Sequence, residues 1–367
     1  MPDLAQRKYY SQLHAIAQGM DMQVFAKVLD SITNDAGIYP GDWCMTLTAK
    51  ADQYYAQHQY EPALHYYNLA RFPYIDSPAK QRAYACCKKA FAQCCRRQQL
   101  SLETLSIRCE GMDVPCYFSP GPRLDAPLFF VMGGVVSIKE QWIQLLKLGK
   151  RLKSAVVLID FPGVGDNPLS YHRHSHYLLK RVLDRLRRYA NVTNTHCVAM
   201  SFGGSLALQH AAHDARIRSV ITVGAPIHDF FVDHTHWASV PEITKQCLQH
   251  CLKRDITQLS NGLSLLSIRE QIKQLHIPVC YVFSERDELI VSAEKDNLLR
   301  HCQNLALYCF DDVHGSPNHL PLTKLIIIGN LLKWMRKKRL IPALIQLKLK
   351  WQQLKTGFSM ISQDHKV

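Results

Sequence analysis

Apolar and polar positions along the chain follow two different periods, and the change between them falls near residue 101. Before it, apolar and aromatic residues recur three and four apart. Residues 49–56 and 61–70 both carry Ala and Tyr at that spacing and predict helices. Pro62 suits the first turn of the second helix, where a missing N–H is harmless. One such pair falls short of the roughly three units a stacked repeat needs. Residues 1–100 therefore read as a helical N-terminal domain.

Past residue 101 the period shortens. Leu105, Ile107 and Cys109 alternate with polar neighbours, as a half-buried strand does. Residues 114–118 predict a second strand, with Glu110-Gly111-Met112-Asp113 as the hairpin turn between them. Pro115 lacks an N–H and should confine that second strand to a sheet edge. Continuous apolar runs then follow at 127–132, 155–159, 219–223, 278–283 and 305–310, the signature of strands buried on both faces. Helical patterns at 177–189 and 293–300 lie between them. The fold class is α/β, with a mostly parallel sheet and helices on both faces. The rhythm breaks between Val223 and Pro278, where 243–256 and 263–275 look helical. Residues 225–276 are therefore expected to form a helical lid insertion over the sheet. The α/β unit runs over 101–340, and 341–367 form a basic C-terminal helix and tail.

Composition narrows the class. Of the 367 residues 47% are hydrophobic and 20% charged, as in a water-soluble globular chain. The first eight residues are polar, unlike a signal peptide, and the longest apolar run, 320–332, is interrupted by Lys324. The thirteen cysteines include no C-x-x-C pair, so reduced thiols and a cytoplasmic protein are expected, with no metal site. A net charge of +14 points to an anionic partner or surface.

The candidate chemistry starts at residues 196–208, which read as a short apolar strand, a tight turn tipped by Ser201, and a helix opening with small residues. That is the layout of a nucleophile elbow, usually G-x-S-x-G and here Ala199-Met200-Ser201-Phe202-Gly203. Acyl chemistry also needs a base, an acid to orient it, and two N–H donors for the developing oxyanion. In chain order the acid should follow a strand beyond the lid: Asp287 sits four residues past Phe283, with Glu285 in reserve. The base should follow the last parallel strand: His314 lies four residues past Phe310 and is preferred to His319 at the start of a helix. Backbone N–H groups of Phe202 and of Gly134 or Val135, at the exit of the first buried strand, should form the oxyanion hole. The turn Asp160-Phe161-Pro162-Gly163-Val164-Gly165 fails the wider dinucleotide fingerprint at Pro168, so it is read as a loop beside the elbow and no cofactor is expected. The histidine-rich stretch 171–176 is read as a solvated polar loop.

The ordered set Gly133-Gly134, the 160–165 turn, Ser201, Gly224-Ala225-Pro226, Asp287 and His314 resembles the fermentation–respiration switch protein (FrsA-like) esterase family of α/β-hydrolases. Relatives of that family include the pseudooxynicotine C–C hydrolase and fungal pigment chain-shortening hydrolases. Its helical N-terminal domain carries a Y-Y-x-x-A helix, which Tyr66-Tyr67-Asn68-Leu69-Ala70 resembles. Two departures stand out: the family's G-G-L-D-S is Gly133-Gly134-Val135-Val136-Ser137 here, and Ala199 replaces the first elbow glycine. The resemblance implies a serine hydrolase acting on an ester, thioester or related acyl substrate, polyketide-like substrates included. A C–C bond hydrolase and a non-catalytic binding protein are the alternatives. Expected partners are the small acyl substrate and an acidic carrier protein or anionic membrane surface met by the basic C-terminus, with a homodimer also open. Nucleic acid is not expected, since no recognition module accompanies the charge.

Overall fold

The computed structural model describes residues 3–37, 40–253, 262–335, 340–356 and 359–364. Five helices come first: α1 (Leu4–Gln18), α2 (Met22–Asp30), α3 (Trp43–Ala56), α4 (Tyr60–Ala70) and α5 (Pro78–Arg97). Local chemistry starts them where they start. The Asp21 and Asp42 carboxylates accept the free first-turn N–H groups of α2 and α3, and Ser77 with Pro78 behind it opens α5.

The sheet follows. It contains β1 (Glu103–Cys109), β2 (Met112–Ser119), β3 (Pro127–Met132), β4 (Ala155–Ile159), β5 (Asn191–Ala199), β6 (Ile217–Val223), β7 (Val279–Ser284), β8 (Asn304–Phe310) and β9 (Ser359–Asp364). Their spatial order is β1-β2-β4-β3-β5-β6-β7-β8-β9. The six strands from β4 to β8 in that order run parallel, and β1, β2 and β9 add antiparallel edges. Every residue of β4 and β7 is buried, as their unbroken apolar sequence requires. The connecting helices are α6 (Ile143–Arg151), α7 (Tyr177–Leu186), α8 (Phe202–Ala211), α9 (Asp229–Val232), α10 (His234–Ser239), α11 (Glu242–Leu252), α12 (Arg269–Lys273), α13 (Ser292–His301), α14 (Leu320–Trp334) and α15 (Leu340–Thr356). Among the described residues no helix is long and apolar enough to cross a membrane.

Four expectations are corrected. The strand carrying Pro115 is interior, between β1 and β4. Pairing with β4 begins only at Cys116, so the missing N–H faces past the end of the neighbouring strand. The region expected as one helix over 263–275 is a 3-10 turn at Leu263–Leu266 followed by the short α12, and residues 254–261 of the expected lid lie outside the described residues. The basic C-terminus does not end as a helix: after α15, β9 pairs antiparallel with β8 and closes that sheet edge. Arg336, Lys337, Lys338 and Arg339 lie outside the described residues. Finally, the 171–176 stretch is half buried. Ser175 and His176 pack inward, His176 Nδ1 lies 3.3 Å from His210 Nδ1, and His210 in turn meets Asp214.

A buried polar cluster joins the helical layer to the sheet. Lys139 Nζ lies 2.7 Å from Asp160 Oδ2, at the exit of β4, and 3.3 Å from Glu140 Oε1. Asp160 Oδ1 also accepts the Lys139 backbone N–H at 2.6 Å. Tyr84 of α5 touches the Lys139 ammonium at 3.1 Å, and Tyr117 of β2 donates to Glu140 at 3.0 Å. Nearby, Arg71, at the C-terminal end of α4, donates to the Val136 carbonyl at 2.6 Å. Removing one partner of such a set strands the others without water. Lys139→Met is expected to lower folding stability by about 3–5 kcal/mol, read as a shift in denaturant midpoint. A loss below about 1 kcal/mol, the range of an exposed pair, would contradict that reading of the cluster.

Candidate active site

The turn after β5 forces Ser201 into a conformation non-glycine residues rarely adopt, φ 51° and ψ −129°. Two backbone bonds hold it there: Met200 N–H donates to Met132 O of β3 at 3.0 Å, and Ser201 N–H to Val223 O of β6 at 2.9 Å. The small residues around it are required by space. A β-carbon at Gly203 would run into the Gly133 carbonyl, and one at Gly204 into the Thr222 hydroxyl. One at Gly134 would come within 3.0 Å of Ser201 Cβ.

His314 and Asp287 meet this serine. Ser201 Oγ is 3.0 Å from His314 Nε2, and His314 Nδ1 is 2.9 Å from Asp287 Oδ2 and 3.0 Å from Oδ1. The Asp287 carboxylate is fully buried and accepts the N–H groups of Leu289 and Ile290 at 2.9 and 3.0 Å. Glu288 Oε2 accepts the His314 backbone N–H at 3.1 Å and so fixes the loop that carries the imidazole. The reserve candidates lie elsewhere. Glu285 pairs with Lys295 on the surface, while His319 stacks on Phe310 and bonds Asp312 at 2.8 Å.

The N–H groups of Phe202, Gly134 and Val135 have no backbone acceptor among the described residues, whereas Gly203 and Gly204 donate back to Met200 and Ser201. Phe202 and the 134–135 turn flank Ser201, the arrangement an oxyanion hole needs. Sequence reasoning noted Gly224 but gave it no role: its φ of 61° and absent side chain leave room for the imidazole, and a β-carbon there would lie 2.8 Å from His314 Cε1. It also missed Glu294, buried on α13, whose carboxylate gathers the N–H groups of Ile227, His228 and Phe230 in the stretch that follows β6. Burial pushes Glu294 up to about 7 despite those three donors.

A cavity of about 330 Å³ opens above Ser201. Its walls come from α1 (Leu13, His14), the Val135–Val136 turn, α11 (Ile243, Cys247) and α14 (Ile327). Three imidazoles line it, and they differ. Burial, with the Arg71 and His314 charges adding to it, pushes His14 down to about 3; burial also brings His65 down to about 4. Burial acts on His314 in the same direction, but the Asp287 carboxylate and its hydrogen bond outweigh it and raise His314 above its ordinary value. Burial pushes the Cys247 thiol up to about 12, so it stays protonated and does not compete as a nucleophile.

A serine on a strained strand-to-helix turn, a carboxylate-backed histidine and a parallel sheet define this protein as an α/β-hydrolase. Residues 42–279 match the family described as Esterase FrsA-like, and the chain belongs to that family. The structure of wild-type AbyA5 is 31% identical, with a TM-score of 0.89 over 95% of this chain and 99% of that one. Esterase FrsA of Klebsiella pneumoniae is 25% identical over 210 residues, covering 55% of this chain and 50% of that protein. The 2,6-dihydropseudooxynicotine hydrolase of Paenarthrobacter nicotinovorans is 26% identical over 194 residues, half of each chain. A solved 2,6-dihydroxy-pseudo-oxynicotine hydrolase shares the fold at 19% identity, with a TM-score of 0.68 over 86% of this chain and 94% of that one. The chain spans about half the length of the curated relatives it matches.

The raised His314 gives a pH expectation. An imidazole must be neutral to take a proton from Ser201, so kcat/KM should climb as pH rises through a value above about 6.5, the ordinary histidine range. Asp287→Asn removes the carboxylate that raises it. The inflection should move to lower pH while the rate falls by orders of magnitude. An inflection that stays in place in Asp287→Asn would separate the two residues.

Proposed function

We propose that this protein is a serine hydrolase that cleaves bulky, largely apolar acyl esters or thioesters through an acyl-enzyme. The observation that carries the reading is the continuous chain from Ser201 Oγ through His314 to the buried Asp287, at 3.0 and 2.9 Å, with Ser201 and His314 lining a largely apolar cavity. In this reading His314 Nε2 takes the proton as Ser201 Oγ attacks the acyl carbonyl, and Asp287 holds the imidazolium that forms. The oxyanion meets the N–H groups of Phe202 and of Gly134 or Val135. His314 then returns its proton to the leaving alcohol or thiol, and water releases the acid by the same route in reverse.

The test is labelling by a fluorophosphonate, which should modify Ser201 and leave Ser201→Ala unmodified. Because triad members act as a unit, the Ser201/His314 double alanine variant should be no slower than the slower single one. Labelling that persists in Ser201→Ala, or activity within about tenfold of the parent, would remove Ser201 from the mechanism. The largely apolar cavity also predicts that medium-chain and aromatic esters outrun acetate esters in kcat/KM. A preference for acetate would remove the substrate class and leave the triad standing.

A further inference from the structure

One surface of the fold takes no part in this chemistry. Helix α15 is apolar on two opposite sides. Leu349 is fully buried, and Ile345 packs against Gly329 of α14, where a β-carbon would lie 2.8 Å from Ile345 Cγ2. On the other side Leu344, Leu347 and Trp351 are 63%, 62% and 52% exposed. At about 100° per residue these three fall within an arc of about 60° opposite Leu349. Exposed Lys348 lies on one flank of that arc and exposed Lys350 on the other. The outward side of a surface helix is ordinarily polar, so the exposed Leu344 and Leu347 call for an occupant.

Charge says which. From residue 313 to residue 363 the chain contains no Asp or Glu. It contains nine Lys or Arg there: Lys324, Lys333, Arg336, Lys337, Lys338, Arg339, Lys348, Lys350 and Lys355. A second copy of α15 would bring lysines against lysines. An acidic protein would pair with the lysines and leave a leucine–tryptophan arc to be matched separately. A bilayer bearing anionic headgroups satisfies both at once, with acyl chains for Leu344, Leu347 and Trp351 and phosphates for the flanking lysines. We propose that α15 is an interfacial helix that docks the protein on an anionic membrane surface. Helix α14, on which α15 packs, supplies Leu320, Thr323 and Ile327 to the cavity above Ser201, so in the docked protein α15 stands between the lipid and one wall of that cavity.

Vesicle binding requires no catalysis, so its failure leaves the hydrolase reading untouched. The full chain is sedimented with vesicles of phosphatidylcholine alone and with vesicles containing about one-third phosphatidylserine. It should pellet with the anionic vesicles and stay in solution with the neutral ones. A chain of net charge +14 is drawn to any anionic surface, so the apolar arc is the decisive variable. Leu344→Gln/Leu347→Gln should reduce bound protein by about tenfold or more, as should Lys348→Gln/Lys350→Gln. Both variants should keep the parent's circular dichroism and its rate on a small soluble ester. Binding undiminished in the leucine variant would overturn the proposal. It would also fall if vesicles were not bound while that variant turned a dimer into a monomer in sedimentation velocity. Lysine-dependent binding of an acyl carrier protein without vesicle binding would overturn it in favour of a protein partner.

Discussion

The arrangement depends first on one buried ion pair. Lys139 and Asp160 are almost completely excluded from solvent, and the carboxylate grips its partner twice, through the ammonium and through the backbone N–H. Charges taken out of water are tolerated only with full partnering, which here comes from Glu140, Asp166 and the Tyr84 hydroxyl. Tyr84 belongs to the helical layer, Asp160 to the end of a central strand, and Lys139 follows the turn that carries Gly134 and Val135. Helices, sheet and the Gly134–Val135 turn therefore converge on a single cation. Arg71 repeats the device on a smaller scale by holding the Val136 carbonyl from α4.

This placement explains why the helical layer is part of the site and not an appendage. Helix α1 contributes Leu13 and His14 to the cavity wall, and Gln18 on the same helix bonds Asn68 of α4 at 2.9 Å. The environment then sorts chemically identical groups. His14 and His65 are held neutral by burial, while His314, backed by Asp287, is held ready to carry charge. Function follows from those surroundings more than from the presence of imidazole.

What the sequence revealed divides along a physical line. Strands β3, β4, β6, β7 and β8 were legible because burial on both faces demands apolar runs, whereas β5 showed only its apolar end before Ser201. The meeting of Ser201, Asp287 and His314 could be anticipated because each follows a buried strand at short range. The Glu110-Gly111 turn was legible too, its two positive φ angles being those a tight hairpin needs. Long-range partnering left no such trace. Lys139 and Glu140 look like surface residues until Tyr84 and Tyr117 close over them. Gly224 gains its meaning only once an imidazole arrives from ninety residues further on. Pro115 was misplaced because its constraint concerns one hydrogen bond, and the neighbouring strand ends one residue short of it. Strand β9, with polar residues at four of its six positions, carries too little apolar pattern to announce itself.

The contact between Gly203 and the Gly133 carbonyl has a consequence for how such a protein can diversify. Where Gly203 faces the Gly133 carbonyl there is no room for a side chain, so an exchange at Gly203 cannot tune the distance between the two turns. The walls that would decide which acyl group fits come instead from α1, α11 and α14, helices outside the parallel strands. In the proposed hydrolase, reactivity would then be written into main chain and selectivity into replaceable side chains. Lineages can exchange substrates by altering the second without reopening the first.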